Sequence, residues 1–176
     1  LVHRIDKDTS GLLLIAKTPE AKKKLGKQFF EKTTHRSYHA LVWGHLKEDE
    51  GRIEGNITRD PKDRLKMTVV APETGIGKNA VTHWKVIERY GYTTLVECIL
   101  ETGRTHQIRV HMAHIGHPIL GDTVYGRKKP ELGQDSQCLH AGALCFQHPR
   151  DGRPVMVFAQ LPQYFKDVIA KLEKMG

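Results

Sequence analysis

The chain has 176 residues, 39% of them hydrophobic and 27% charged, and its 28 Lys and Arg exceed its 20 Asp and Glu for a net charge of +8. That is enough for one domain with its own core, and it excludes a disordered or fibrous chain. No apolar run approaches membrane-spanning length, the longest being GLLLIA, and the excess of basic residues points to a polyanionic partner, nucleic acid first.

The chain opens on HRIDKDTSGLLLIAK, His3 to Lys17. GLLLIAK predicts a central, buried strand, and Thr9, Ser10 and Gly11 the turn that leads into it. Asp6 lies in the short connection just before. An acid there can be held rigidly at a sheet surface, as a nucleophile or general base requires. Asp6 and Asp8 also suit ordinary turn positions of the Asx kind. TPEAKKKLGKQFFEKT predicts a helix with Thr18 as N-cap, Pro19 at the first position and Glu20 in the first turn. Ala21, Leu25 and Phe29 form its apolar face, and Lys22, Lys23, Lys24 and Lys27 cover much of the rest.

RSYHALVWGHL alternates as a strand with both faces partly apolar. Its Tyr38 stands beside small residues, so its ring is either a platform for a flat ligand or a piece of core. LKMTVVA, AVTHWKVIERY and TTLVECILE are three further strands, separated by PETGIG and by a short turn at Gly91. HQIRVHMAHIG carries Ile108, Met112 and Ile115 at helical spacing and stops at Gly116 and Pro118. LHAGALCFQH and RPVMVFAQL flank HPRDG, a hairpin turning at Asp151-Gly152. PQYFKDVIAKLEKM closes the chain as an amphipathic helix. With no repeat, low-complexity tract or linker, the expected fold is one α+β domain, a mixed and mostly antiparallel sheet flanked by helices.

ETGRTHQIRVHMAHIGHPILGD gathers Arg104, His106, Arg109 and His111 around a helix start, where free backbone N–H groups favour phosphate. The histidines 106, 111, 114 and 117 fall at spacings that turn the first pair apart on a helix, and no carboxylate-bearing ligand set accompanies them, so no metal is expected. Cys98, Cys138 and Cys145 are odd in number and lack CxxC spacing. A disulfide framework or zinc site is therefore not expected, and a reducing, cytoplasmic setting is. Cys98 and Cys145 are read as small buried hydrophobes.

HRIDKDTSGLLLIAK, YHALVWG and ETGRTHQIRVHMAHIGHPILGD, in this order, closely resemble the three successive motifs of the RluA-type pseudouridine synthases, the ribosomal large-subunit (RluD-like) branch above all. CLHAGALCFQHP and FAQLP look like that family's closing strands, so the match spans nearly the whole chain. The resemblance implies the pseudouridine synthase catalytic fold and an isomerase that breaks the N1–C1′ bond of a uridine in RNA, rotates the uracil and rejoins it through C5. The reaction is redox-neutral and calls for no cofactor. Large-subunit ribosomal RNA is the expected substrate; the alternatives are transfer RNA and a catalytically silent RNA-binding module. A monomer is expected, with no membrane partner.

The resemblance also implies roles. Asp6 is the catalytic aspartate, Arg109 the cation that keeps it ionised, and Tyr38 the ring that packs on the target base and a candidate for proton transfer. Arg4 helps fill the gap left when the target nucleotide swings out of the stack. His3, Arg104 and His106 are assigned to phosphate contact or to support of the site. Lys22, Lys23, Lys27, Arg127, Lys128 and Lys129 are candidate phosphate contacts or a solvated basic face. Members of the branch carry an S4-like RNA-binding domain and opening strands with an Asn-Lys-Pro segment. This chain begins at Leu1 on the first motif, so residues 1–176 are expected to be a catalytic domain truncated at its N-terminus.

Overall fold

In the computed structural model, which describes residues 1–175, the elements in chain order are β1 (Ser10–Gly11), α1 (Pro19–Phe30), β2 (His35–Trp43), β3 (Glu50–Glu54), β4 (Asn56–Arg59), β5 (Met67–Val70), β6 (Val81–Arg89), β7 (Thr93–Leu100), α2 (Gln107–His114), β8 (Leu139–Gln147), β9 (Pro154–Phe158) and α3 (Gln163–Lys174). The main sheet runs β1–β8–β2–β7–β6–β3, with β9 also on β8 and β4–β5 as a separate ribbon. Only the β1–β8 pairing is parallel, so the sheet is mixed and mostly antiparallel.

The centre of the sheet goes to the strands whose two faces are both apolar. Ala40, Leu41 and Val42 of β2 are fully buried between β7 and β8, with Tyr38 opposite Cys98 on one side and Ala141 on the other. Ser37 pairs with Ala143 and Tyr38 with Ala141, which leaves Gly142 as a bulge in β8. Helices seal the core. Thr18 caps α1 by accepting a hydrogen bond from the Ala21 amide, and Leu25 is the buried side chain of that helix. Phe165, Val168 and Leu172 do the same for α3 at i, i+3 and i+7. Removing a fully buried ring such as Phe165 would cost about 3–5 kcal/mol. A smaller cluster of Ile57, Ala80 and Val110 fixes the β4–β5 ribbon against α2.

The opening aliphatic run departs from expectation. Only Ser10 and Gly11 form a strand, and they lie at the edge of the sheet. The cause is competition for one ladder. The edge of β8 that faces away from β2 pairs with β1 at His140 and Ala141, and β9 occupies the same edge from Ala143 to Gln147. Leu12 donates one last bond to the Ala141 carbonyl, after which residues 13 to 16 have no strand to join. Leu13 and Ile15 are therefore exposed, at 40% and 60%. The turn is also displaced from its expected place. It spans Asp6 to Thr9, with the Thr9 amide bonded to the Asp6 carbonyl at 3.0 Å and Asp8 at φ 69°. Gly11 belongs to the strand: a Cβ there would lie 2.1 Å from the Ala141 carbonyl oxygen. Cys145 is half-buried, whereas Cys98 and Cys138 are buried. β3 and β4 were not anticipated, because the charged segment EGRIEGNITR suits a sheet margin rather than an apolar pattern.

Candidate active site

Asp6 is presented by its turn on the wall of a cleft lined by Arg4, Arg36, Tyr38, Gly103 and Arg104. Two anchors hold the turn. The buried Gln137 donates from its side-chain amide to the Lys7 carbonyl at 2.7 Å and to the Thr9 hydroxyl at 3.1 Å. Ser10 meets the His140 ring at 2.8 Å and the Tyr164 hydroxyl at 3.2 Å, which ties β1 to β8 and α3. Among the described residues the Asp6 carboxylate makes no hydrogen bond, and its ion-pair partner is Arg109, whose Nη1 is 3.6 Å from Oδ2.

Arg109 comes from the first turn of α2 and is held mainly from its other side. Its Nε–H donates to Asp122 Oδ2 at 2.8 Å and its Nη2 to Oδ1 at 3.1 Å, a bidentate pair with a carboxylate that is 0% exposed. The same Oδ1 accepts the Val124 and Tyr125 amides. Burial works against the charge of Arg109, but the hydrogen bonds and attraction of Asp122, and then Asp6, hold its pKa above the ordinary guanidinium value. The guanidinium lies over the Tyr125 ring, 5.2 Å from its centroid. Tyr125 accepts the Met67 amide at 2.8 Å and shares a hydrogen bond with His106 Nδ1, 2.7 Å away, so the ribbon, α2 and the guanidinium meet at one ring. His106 sits at φ 56° at the head of α2, and burial and then Arg109 lower its pKa.

Tyr38 is buried in the floor of the cleft, on the face of β2 that also carries Arg36. Burial raises its pKa, so it faces the cleft as a phenol, able to stack and to exchange its proton. The loop from Thr102 to Arg104 closes the far wall. It hangs on Gln107, whose Oε1 accepts from the Thr102 hydroxyl and the Arg104 amide while Nε2 donates to the Val81 carbonyl and the Thr82 hydroxyl.

The fold thus brings Asp6, Tyr38 and Arg109 together, with Arg4 and Arg104 on the rim and His3 and His106 in the outer part of the cleft. His3 has a packing environment. Its Nε2 accepts the Leu14 amide at 2.9 Å, its ring stacks on Phe29 at 4.9 Å, and burial followed by Arg36 lowers its pKa to about 4. It offers phosphate no charge near neutral pH. Lys22, Lys23 and Lys27 are exposed on α1 and do not line the cleft. Neither do Lys128, Lys129 or Arg127, the last of which stacks over Trp43 at 5.2 Å. Four residues had not been singled out: Arg36, Gln107, Asp122 and Tyr125. Asp122 stands at the end of the GHPILGD segment, where an acid right after a glycine turn was the available signal. Among the described residues no group of three or more His, Cys, Asp or Glu side chains could hold a metal ion. His111 is spent on the Thr82 hydroxyl and the Gly55 carbonyl, and His117 on the Trp43 carbonyl.

A family model described as RNA pseudouridylate synthase matches residues 1–114. The chain is 52% identical over 176 residues to an uncharacterized RNA pseudouridine synthase of Bacillus subtilis, covering 100% of this chain and 56% of the relative. It is 46% identical over 170 residues to the ribosomal large subunit pseudouridine synthase D of Zymomonas mobilis, covering 93% of this chain and 53% of that one. Among solved structures, human RNA pseudouridylate synthase domain containing 1 superposes with a TM-score of 0.75 at 28% identity, over 97% of this chain and 78% of that chain. The chain spans about half the length of the curated relatives it matches.

Proposed function

This chain belongs to the RNA pseudouridylate synthase family, and on that premise we propose that it isomerises uridine to pseudouridine in RNA. Asp6 is the group that acts on the target nucleotide, either by adding to the sugar or base or by removing the C2′ proton. Each route needs an ionised carboxylate with free lone pairs in a partly desolvated cleft, next to a fixed cation. The observation that carries the reading is the Asp6 carboxylate, unbonded within the protein, beside an Arg109 that Asp122 has already immobilised.

In this reading the uracil packs against Tyr38, which is placed to move a proton at C5 or C2′ once the glycosidic bond has broken. Arg4, on the rim, takes up space vacated by the extruded nucleotide, whose unstacking costs a few kcal/mol. Arg104 and the cationic face around the cleft attract the RNA backbone. The isomerisation is redox-neutral, so these side chains suffice for its proton and bond changes. The names of several relatives favour large-subunit ribosomal RNA as the substrate. We further take the chain to be a catalytic domain acting as a monomer in the cytoplasm, where free cysteines such as its own stay reduced.

The test is to map pseudouridine in RNA incubated with the wild type and with Asp6→Ala. New pseudouridine is expected with the wild type alone. The same modification made by Asp6→Ala would remove Asp6 from the chemistry.

A further inference from the structure

Arg36 is a half-buried charge beside Tyr38. It lines both the inner and the outer part of the cleft, and no carboxylate among the described residues lies within ion-pair distance of it. Its Nε is buried with no hydrogen-bond partner. Arg109, behind Asp6, has two carboxylates. A desolvated cation without a counter-ion destabilises the free protein, and burial accordingly lowers the pKa of Arg36.

The surroundings hold that charge in place rather than neutralise it. The guanidinium lies over the Phe29 ring, 5.3 Å from its centroid. On the other side it presses on the backbone of Gly103, where an added Cβ would come within 2.3 Å of its Nη1. The neighbouring His3 is neutral near neutral pH and accepts the Leu14 amide, so it adds no further positive charge. The nearby cleft side chains add positive charge from Arg4, Lys7 and Arg104, and the one carboxylate there, Asp6, is paired with Arg109 instead. A planar fork held flat with free donors fits a tetrahedral or planar oxyanion that can take two parallel bonds.

Resting on the RNA-isomerase reading, we propose that Arg36 is the receptor for a backbone phosphate of the RNA strand at the target nucleotide. Arg36 and Tyr38 are at i and i+2 on one face of β2, so their Cα atoms are about 6–7 Å apart. A uracil packed on Tyr38 then has its own phosphate or the next one within reach of the guanidinium. The bound phosphodiester is the counter-ion that the free protein lacks, so the contact adds binding energy for a nucleotide seated on Tyr38.

The test measures affinity for a short uridine-containing single-stranded RNA over a range of salt concentrations, by fluorescence anisotropy. Arg36→Gln should weaken binding about tenfold and make the slope of log K against log salt shallower by about 0.7, as for one lost phosphate contact on a single strand. Arg36→Lys should keep the slope. Gly103→Ala, which leaves the charge in the protein but displaces the guanidinium, should weaken binding in the wild type and add nothing in the Arg36→Gln background. An unchanged slope in Arg36→Gln would overturn the proposal. So would a Gly103→Ala loss equally large in both backgrounds, which would mean that the added methyl merely blocks the cleft. A wild type that shows the expected slopes but forms no pseudouridine would refute the isomerase reading and leave the phosphate contact standing.

Discussion

Asp122→Asn separates the fold's use of charge from the site's. In the wild type, Asp122 Oδ2 takes the Arg109 Nε–H at 2.8 Å, and Oδ1 takes Nη2–H at 3.1 Å together with the Val124 and Tyr125 amides at 3.0 and 3.1 Å. Asparagine has one acceptor oxygen. If that oxygen stays with the two amides, the new NH2 group faces the Arg109 Nε–H, donor against donor. Removing one partner of a buried ion pair costs about 3–5 kcal/mol. Asp6 remains as a partial counter-charge, so the expected loss is about 3 kcal/mol. For a chain of this size that corresponds to a fall in Tm of roughly 6–12 °C. Asp6→Asn removes the other carboxylate, which is 23% exposed and stands 3.6 Å away without a hydrogen bond. Its cost should stay within about 1 kcal/mol, as for a surface pair. Thermal and urea unfolding of the wild type, both single variants and the double variant measures each loss and the coupling between the two acids. If Asp122→Asn were as stable as the wild type, or Asp6→Asn as damaging as Asp122→Asn, the guanidinium would not be held from the Asp122 side and the reasoning would fail.

Two further outcomes concern the approach to the site. His3 titrates at about 4 in the folded chain against an ordinary 6.5, so the unfolded chain takes up its proton first as pH falls. The neutral imidazole's contribution is complete above about 6.5 and is lost on the way down to about 4; the difference in urea midpoint between wild type and His3→Leu should shrink over that window, and a constant difference would contradict it. Gly11→Ala should cost at least about 2 kcal/mol, since its Cβ would sit 2.1 Å from the Ala141 oxygen at φ +106°, whereas Gly26→Ala, with nothing within 4 Å, should stabilise α1 by roughly 0.5–1 kcal/mol. Equal melting temperatures for these two variants would show that β1 does not depend on its close approach to β8.

Patterns that depend on one element alone were legible in the sequence. The cap and apolar face of α1, the amphipathic α3 and the two-faced burial of β2 follow from local spacing, and the structure places them close to where the residues say. GLLLIAK was misread because its composition is that of a buried strand. What decides its state is the prior claim of β9 on the edge of β8, which lies more than a hundred residues further on. The same limit applies to the site. Asp6, Tyr38 and Arg109 stood out through their motifs, but no spacing ties Asp122 to Arg109, and their pairing exists only once the segment after α2 folds back. Arg36 had drawn no notice in the sequence. Its burial is supplied by Phe29 and by Gly103, neither of them its sequence neighbour.

The arrangement around Arg109 also leaves one of its two acids free to engage a ligand and the other not. Every acceptor position that Asp122 uses is committed to the guanidinium or to backbone amides, and the group is wholly buried. Its lone pairs are consumed in fixing the direction of the cation. Asp6 receives only the field of that cation, from 3.6 Å, and keeps its oxygens free toward the cleft. Had the bidentate pair formed with Asp6 instead, the acid would have been ionised but occupied, and each new bond to a substrate would first have had to break a charge-assisted one worth about 1.5–3 kcal/mol. Assigning the strong bonds to a buried acid and the long contact to an open one leaves the Asp6 oxygens unengaged beside a fixed cation. That division of labour requires a guanidinium, because a lysine's compact ammonium could not hold one carboxylate through two parallel bonds while turning a third N–H edge to another.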